Sequence, residues 1–470
     1  MLVPLYGAIR NRRPVDAFYL GWLAGTVGSL GLCYWFLFAH RNAGFAWSHC
    51  VAGWISLSAY TGLYWGAWTA FIAFFQTPRK KKSRAARSPI FFVLAGAALW
   101  VILEYTRGYL FSGFLWGLLG NSQWRVPWMI QMASITGVYG VSFLIVVVNL
   151  AIAGWWNMRS RAAIAPLVLA GSLAVISVIF GSARVRRLDA PSATPAQNVA
   201  ILQGNVLPVD RFKRTRIMQI FRRYEGLMAE AAPSHPDLIV WPESSLPLPL
   251  LGGWAYPNLD PLLRKTGTEH IIGSNRRINR HLVYNSAYSY NPRGVIQGFY
   301  DKHHLVPFGE YIPGRDLGIN SLTLLDPEGQ FTAGTTAGVL PTQAGPAAMT
   351  ICMEDIYPGP TAEAVANGKA VVLINLSNDG WFTGTAELSQ HLSADVFRAV
   401  ESERWLLRAA NTGISAIIDP AGRVTAASMP DTVSVLRGSY IPRTNLSLYD
   451  QFGDVFVALC FFMVLACFVL

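Results

Sequence analysis

The sequence predicts a polytopic α-helical membrane domain with about six spans, joined to an α/β domain of layered sheets. The chain of 470 residues is 52% hydrophobic, which is unusually apolar for a soluble protein. Its apolar residues are concentrated in the first third of the chain and at its end. The section between about Ala183 and Arg443 has instead the mixed composition of a globular domain.

Six apolar segments are each close to the ~20 residues that a helix needs to cross a hydrocarbon core. These segments are Ala17–Phe38, Cys50–Phe75, Pro89–Phe111, Trp128–Trp156, Ala163–Gly181 and Phe452–Leu470. We therefore predict a transmembrane domain of about five spans in residues 1–182 and a C-terminal transmembrane helix in residues 452–470.

The net charge is +11, which alone could suggest a nucleic-acid partner. Much of the basic excess, however, lies in short runs beside apolar segments, and this placement indicates residues that set the orientation of membrane spans. Runs in alternate connections are expected on the cytoplasmic side, namely Arg10–Arg13, Arg79–Lys82, and Arg159 with Arg161. Three arginines follow the fifth span and indicate the opposite orientation, namely Arg184, Arg186 and Arg187. The three earlier basic runs outweigh this signal. Residues 196–443 are thus expected outside the cytoplasm.

Short β-rich runs alternate with helical ones in residues 196–443, which is typical of α/β layered sheets. The predicted strands are Asn198–Gln203, Leu238–Trp241, His270–Ser274, Val283–Tyr290, Gly298–Tyr300, Ala347–Cys352, Val371–Leu376 and Gly413–Ile418. The predicted helices are Val209–Ala232, Pro257–Thr266, Pro358–Asn367 and Ala386–Arg408.

Cys352 is the candidate nucleophile. Of five cysteines in the chain, it is the one that lies in the globular section, and Pro358 then suits the first turn of the next helix. A thiol at such a strand-to-helix turn is close to backbone N–H groups that favour a thiolate and a developing oxyanion. A lone cysteine is more often a buried structural residue, so the interpretation depends on other segments.

Glu243 and Lys302 complete a reactive set. Glu243 follows the buried-type strand Leu238–Trp241, and Lys302 begins a loop rich in proline and glycine. The chain order Glu, Lys, Cys at strand ends resembles the catalytic triad of the nitrilase superfamily. That resemblance implies an αββα sandwich and acyl chemistry through a cysteine thioester.

Longer motifs narrow the resemblance. They are WPES at Trp241–Ser244, KxHLVPFGEYxP at Lys302–Pro313, SNDxWF at Ser377–Phe382, RAANTGIS at Arg408–Ser415, and ExxRG at Glu104–Gly108 in the membrane part. Together with the membrane spans, these motifs resemble the bacterial apolipoprotein N-acyltransferase family, and the likeness covers nearly the whole chain. The family usually has eight spans, so we expect the two N-terminal ones to be missing here.

The resemblance implies a role for each matched residue. Glu243 would be the general base, Lys302 the cation that stabilises the oxyanion, and Cys352 the nucleophile that accepts the acyl group. Glu310 would hold the lysine and help to position the thiol, and Glu354 would support the same site. For Glu310 and Glu354, structural support and direct chemistry are both open.

Substrate contacts are expected at aromatic and charged positions. Trp241, Trp381 and Phe382 are candidates for contact with lipid chains. Trp381 and Phe382 could instead cap the sandwich core, but lipid contact is the favoured interpretation. Glu104 and Arg107, one helical turn apart in the third span, mark either a functional cavity or a structural ion pair.

Neither a metal nor another cofactor is expected, because the sequence contains no HExxH motif, no Cys/His cluster and no glycine-rich phosphate loop. The histidines of the globular section, His391 among them, are expected to make ordinary hydrogen bonds.

The resemblance implies transfer of a fatty acyl chain from a phospholipid, phosphatidylethanolamine, to the N-terminal amine of an S-diacylglyceryl-cysteine in a lipoprotein. The enzyme would lie in the bacterial inner membrane, with residues 196–443 as a periplasmic catalytic domain. Two alternatives remain open. One is a membrane-anchored carbon–nitrogen hydrolase of the amidase or nitrilase type, and the other is a non-catalytic lipoprotein-binding protein.

Overall fold

The computed structural model describes residues 2–76, 88–158, 161–207, 210, 214–246, 249, 259–279, 281–311, 331–335 and 338–469. It divides into two compact units, the first formed by Met1–Asp189 with Phe452–Leu470 and the second by Ala190–Gln451. The predicted cytoplasmic residues Arg79–Lys82 and Arg159, and the end of the KxHLVPFGEYxP motif, lie outside the described residues.

The first unit is helical. Its main helices are Leu2–Ile9, Pro14–Leu32, Trp35–Asn42, Trp47–Gln76, Pro89–Arg107, Val138–Met158, Ile164–Leu188 and Val455–Val469. Two single-turn helices, Pro127–Ile130 and Ala133–Thr136, precede Val138.

The number of membrane spans differs from the prediction. Within the described part of the chain, three helices are long and apolar enough to cross a membrane: Pro89–Arg107, Val138–Asn157 and Arg161–Leu188. Pro14–Leu32 and Trp35–Asn42 raise this to four if they form one span, although they are bent by 52°. Val455–Val469 has 15 residues, fewer than the ~20 of a full span. The helical class of this unit is therefore confirmed, whereas six spans are not.

Helices Pro14–Leu32 and Trp47–Gln76 pack closely through small residues. A Cβ atom added at Gly21 would lie 2.0 Å from Thr69 Oγ1 and 2.7 Å from the Trp65 carbonyl oxygen. The Thr69 hydroxyl donates a 2.8 Å hydrogen bond to the Ala17 carbonyl oxygen across this contact. Small residues allow two helix backbones to approach in an apolar environment.

In the described part of the second unit, the strands form two six-stranded sheets, with strand orders β12-β1-β2-β3-β4-β5 and β11-β10-β9-β8-β7-β6. In chain order, the strands are β1 Gln197–Gln203, β2 Leu238–Val240, β3 Glu269–Arg277, β4 Val283–Tyr290, β5 Ile296–Asp301, β6 Val339–Leu340, β7 Ala347–Ile351, β8 Val372–Ser377, β9 Leu406–Ala410, β10 Ala416–Ile418, β11 Val424–Ala427 and β12 Ser434–Tyr440. Strands β1 to β3 are parallel, as are β7 to β9, and the other pairs are antiparallel.

The sheets pack face to face with helices outside them. Along β1, Val199 and Ile201 join a core that contains residues of both sheets, whereas Ala200 and Leu202 pack with the helix Ile217–Ala231. This alternation follows from the two-residue period of a strand. On the other sheet, Pro358–Ala366 contacts β7 and Glu387–Glu401 contacts β9. The predicted αββα sandwich is thus observed.

Candidate active site

Cys352 lies at a strained turn. It directly follows β7 and begins the 3₁₀ turn Cys352–Ile356, with a φ of 54°. A non-glycine residue in this left-handed region costs of order 1–3 kcal/mol and persists where the surroundings hold it. Here the Asn375 side-chain nitrogen donates to the Cys352 carbonyl oxygen and to Thr350 Oγ1, both at 3.0 Å. The thiol residue keeps 9% of its surface exposed.

A network of hydrogen bonds brings the predicted carboxylates and the lysine together. The side-chain nitrogen of Asn285, in β4, donates to Glu243 Oε1 at 2.6 Å and to Glu310 Oε1 at 3.0 Å. Lys302 Nζ lies 2.9 Å from each oxygen of Glu310, and the Val306 backbone N–H donates to Glu310 Oε2 at 2.8 Å. Glu310 is therefore the ion-pair partner of Lys302, and Asn285 links it to Glu243.

The charges of these groups act on the thiol. Burial and then the negative charge of Glu243 raise the pKa of the Cys352 thiol well above its usual range, while Lys302 lowers it. For Lys302, burial opposes the charge, but Glu310, Cys352 and Glu243 outweigh it and raise the pKa of the ammonium. The resting state is thus a protonated thiol beside a permanent cation, so a base is needed to form the thiolate.

Glu354 braces the backbone on both sides of the site. Its carboxylate accepts hydrogen bonds from the Tyr300 hydroxyl at 2.9 Å and from the Ile351 N–H at 2.7 Å. It also accepts from the N–H groups of His303 at 2.7 Å and His304 at 3.0 Å. Glu354 therefore ties the strand end before the nucleophile to the segment that carries the lysine, which favours structural support.

The three aromatic candidates for lipid contact differ in their surroundings. Trp241 is 0% exposed, stacks on Tyr224 with ring centroids 4.9 Å apart, and donates its indole N–H to His270 Nδ1 at 3.2 Å. This side chain is part of the core, so the expected contact of Trp241 with a lipid is not supported. Trp381 and Phe382, in the turn after β8, are only partly buried and remain candidates.

Glu104 and Arg107 hold a loop of the first unit. The Leu119 backbone N–H donates to Glu104 Oε1 at 2.7 Å, and an Arg107 guanidinium nitrogen donates to the Trp116 carbonyl oxygen at 3.0 Å. Both side chains are buried. Each charge thus bonds the backbone of residues 116–119, which favours a structural role over a substrate site.

A buried ion cluster next to the nucleophile was not predicted as part of the site. Its members are Asp355, Asp379, Glu387, His391, Asp395 and Arg408, and all are at most 1% exposed. Asp379, Glu387 and His391 offer ligand atoms within 4.8 Å of one another. However, the Arg408 guanidinium lies 2.9 Å from Asp379 Oδ2 and 3.0 Å from His391 Nδ1, so the arginine supplies the cation here. A sequence signal for this cluster exists, because three of its members are spaced four residues apart on one helix face: Glu387, His391 and Asp395.

Comparisons with known proteins match the chain in two parts. Residues 1–151 match the family model described as apolipoprotein N-acyltransferase N-terminal domain, and residues 198–437 match the model described as carbon-nitrogen hydrolase. Among solved structures, the Caenorhabditis elegans NitFhit protein is 19% identical with a TM-score of 0.45, covering 56% of this chain and 65% of that one.

Relatives match over nearly the full chain. The apolipoprotein N-acyltransferase of Geobacter metallireducens is 34% identical, covering 97% of this chain and 87% of that protein. The apolipoprotein N-acyltransferase of Caulobacter vibrioides is 32% identical, covering 95% of this chain and 85% of that protein. At this identity and coverage, the chain belongs to the apolipoprotein N-acyltransferase family.

Proposed function

We propose that this protein transfers a fatty acyl chain from a phospholipid to the N-terminal amine of a diacylated lipoprotein, through a thioester on Cys352. The observation that carries the proposal is the thiol at a strained turn, on which the charges of Glu243 and Lys302 both act. The names of the relatives support a lipoprotein as acceptor. Phosphatidylethanolamine is the proposed donor.

In the first half-reaction, Glu243 takes the thiol proton as Cys352 Sγ attacks the ester carbonyl carbon of the phospholipid. Lys302 Nζ and a backbone N–H near Met353 stabilise the oxyanion that forms. The ester C–O bond then breaks, and the leaving oxygen takes the proton from Glu243. A lysophospholipid leaves, and the acyl group stays on sulfur.

In the second half-reaction, the lipoprotein amine attacks the thioester carbonyl carbon and gives a proton to Glu243. The C–S bond breaks, the sulfur recovers the proton, and the N-acylated lipoprotein leaves. Because one product departs before the second substrate reacts, ping-pong kinetics are expected. Trp381 and Phe382 are proposed to contact the acyl chain.

For the arrangement in the membrane, we propose about six spans, from residues 1–182 and 452–470, and a catalytic domain in residues 196–443. The domain would lie on the periplasmic side of the inner membrane. The family and the apolar helices support a membrane location, and the positions of the basic runs support the orientation. A reporter fused after Leu470 should be cytoplasmic, and a periplasmic signal would invert this topology.

The deciding experiment follows a diacylated lipopeptide by mass spectrometry after incubation with purified full-length protein and phosphatidylethanolamine. We expect a gain of one fatty-acyl mass at the peptide N-terminus, and no gain with Cys352→Ala. Release of free fatty acid instead would support the hydrolase alternative. Transfer by the folded Cys352→Ala protein would remove Cys352 as nucleophile.

A further inference from the structure

Two cations of the buried cluster join the turn of Cys352 to the turn that follows β8. Asp355, three residues after the nucleophile, lies 3.0 Å from His391 Nε2 and 3.3 Å from an Arg408 nitrogen. Asp379, in the turn Asp379–Trp381, lies 3.1 Å from His391 Nδ1 and 2.9 Å from Arg408. The imidazole and the guanidinium therefore each bridge the same two carboxylates.

The two ring nitrogens of His391 have different surroundings. Nε2 lies 3.0 Å from Asp355 Oδ1, to which it donates, whereas Nδ1 lies between Asp379 Oδ1 at 3.1 Å and an Arg408 nitrogen at 3.0 Å. Burial and Arg408 oppose a positive charge on the ring, but Asp355 and Asp379 raise the pKa of His391 well above its usual range. Arg408 and His391 in turn hold the pKa of Asp379 below its usual range against burial. The contacts and these directions together favour positive charge on His391 and negative charge on Asp379 in a buried site.

The remaining carboxyl groups of the cluster contact the same two side chains. Asp395 Oδ2 lies 2.7 Å from an Arg408 nitrogen, and Glu387 Oε1 lies 3.5 Å from His391 Nδ1. Burial, as the largest cause, raises the pKa of Asp395 to about 8 and the pKa of Glu387 well above its usual range, which disfavours their charged forms. The charge balance around the bridge therefore depends on His391, Arg408 and all four carboxyl groups.

The charges of the cluster affect Cys352 in two ways, through the pKa of its thiol and through a hydrogen-bonded contact with its backbone. After burial, the charged groups that act on the Cys352 thiol are Glu243, Lys302, Asp379 and Glu310, and Asp379 opposes the thiolate. Arg408 also lies 3.4 Å from the side-chain oxygen of Asn375, whose nitrogen bonds the Cys352 carbonyl oxygen. Loss of either side chain would leave Asp379 with less compensating positive charge, which would raise the pKa of the thiol further.

We propose that His391 and Arg408 are positioning residues, which neutralise Asp379 and Asp355 behind the nucleophile and fix the Cys352 turn to the turn of Trp381. The inference rests on the proposed role of Cys352 as nucleophile. It also makes thiolate formation depend on residues that do not touch the substrate.

The test measures alkylation of Cys352 by iodoacetamide against pH, in the full-length protein, by mass spectrometry of the labelled peptide. For His391→Gln, we expect the pKa of the Cys352 thiol to rise by about one unit. The thiolate fraction at pH 8, and with it the alkylation rate, should then be about tenfold below wild type. Asp379→Asn should change the rate in the opposite direction. The double variant His391→Gln with Asp379→Asn should return toward the wild-type rate, because charge balance is restored.

Arg404 provides a matched control for Arg408. It is equally buried, at 1% exposure, and donates to the carbonyl oxygens of Ala370 and Ser402 at 2.8 and 3.0 Å. We expect Arg408→Met to slow alkylation and Arg404→Met to leave it near wild type, in proteins whose thermal unfolding shows that they are folded. Arg408→Lys keeps a cation and should preserve the pH profile if Arg408→Met does not fold.

Equal slowing by Arg404→Met and Arg408→Met would overturn the proposal, because the role would then be structural. A folded His391→Gln protein that alkylates at the wild-type rate would overturn it as well. Alkylation does not require acyl transfer. Predicted alkylation without lipopeptide acylation would therefore support this inference while refuting the proposed function.

Discussion

The two units of the molecule bury polar groups in different ways. In the helical unit, several buried side chains donate to backbone carbonyl oxygens of a neighbouring helix, as Thr69 does to Ala17 and Trp68 does to Gly96 at 2.8 Å. In the sandwich unit, several buried charges also bond one another, as Lys302 does with Glu310. Close approach of helices thus contributes to the packing of the first unit. The second unit has a hydrophobic core, and it also contains buried charges whose partners are costly to remove singly. Changes of size should therefore affect the helix contacts of the first unit, and changes of buried charge should affect the second unit.

The largest effect is expected when the cation of the site is removed. Lys302→Met should lower the rate of Cys352 acylation by about 10³-fold, because the oxyanion loses a charged donor and Glu310 loses its partner. The measurement is single-turnover acylation followed by mass spectrometry of the protein. Lys265→Met, at an exposed lysine, serves as control and should react normally. A near wild-type rate in folded Lys302→Met would exclude the lysine from the reaction.

A smaller loss is expected from a neutral residue of the same network. Asn285→Ala should lower acyl transfer by about 10- to 100-fold, because Glu243 and Glu310 lose the donor that they share. Asn275, its cross-strand neighbour on β3, allows the same substitution as a control. Lipopeptide acylation rates compare the two variants. Equal rates would show that the shared donor has no particular role.

In the helical unit, the expected effect is on stability. Gly21→Ala should destabilise the unit by about 1–3 kcal/mol, because the new methyl group has no space against Thr69 and Trp65. Gly31 lies in the same helix, and no atom of the described residues lies within 4 Å of a Cβ added there, so Gly31→Ala is the matched control. Thermal unfolding in detergent should show a lower Tm for Gly21→Ala alone. If both variants unfold like wild type, close packing does not hold these helices.

The smallest effect concerns a neutral histidine in the sandwich unit. Burial lowers the pKa of His270 from 6.5 to about 3, so the unfolded chain binds a proton between these values and the folded chain does not. Stability from this group is complete above pH 6.5 and is lost as the pH falls toward 3. Between pH 7 and 5.5, the loss should be about 1 kcal/mol. Denaturant unfolding at both pH values should show it, and His270→Gln should lack it.

Elements with local signals were predictable from sequence. Strand β4, Val283–Tyr290, and the start of the helix at Pro358 were predicted correctly, because alternation and proline are local features. The predicted helix Ala386–Arg408 was wrong at its end. It stops at Glu401, and β9 follows at Leu406. The turn between them uses Glu403 with a φ of 52°, where no glycine or proline marks the break.

Long-range pairing was not predictable in the same way. Strand β12 was missed. It is an edge strand that pairs with β1, although the two strands lie near opposite ends of the sequence of the second unit. For the site, the motifs identified Glu243, Lys302 and Cys352, whose roles remain predictions. Asn285 and the cluster around Arg408 were missed. A polar residue inside a strand, or an arginine in a motif, has no local pattern that shows which carboxylates it will face.

The left-handed turn at Cys352 has an evolutionary consequence. Glycine adopts this backbone conformation without strain, so Cys352→Gly would relieve the turn, but it would also remove a buried side chain from the core and lack a nucleophile. A laboratory selection for thermostability alone would weigh only the first two effects and not the activity. Keeping cysteine there requires continued selection for the reaction itself.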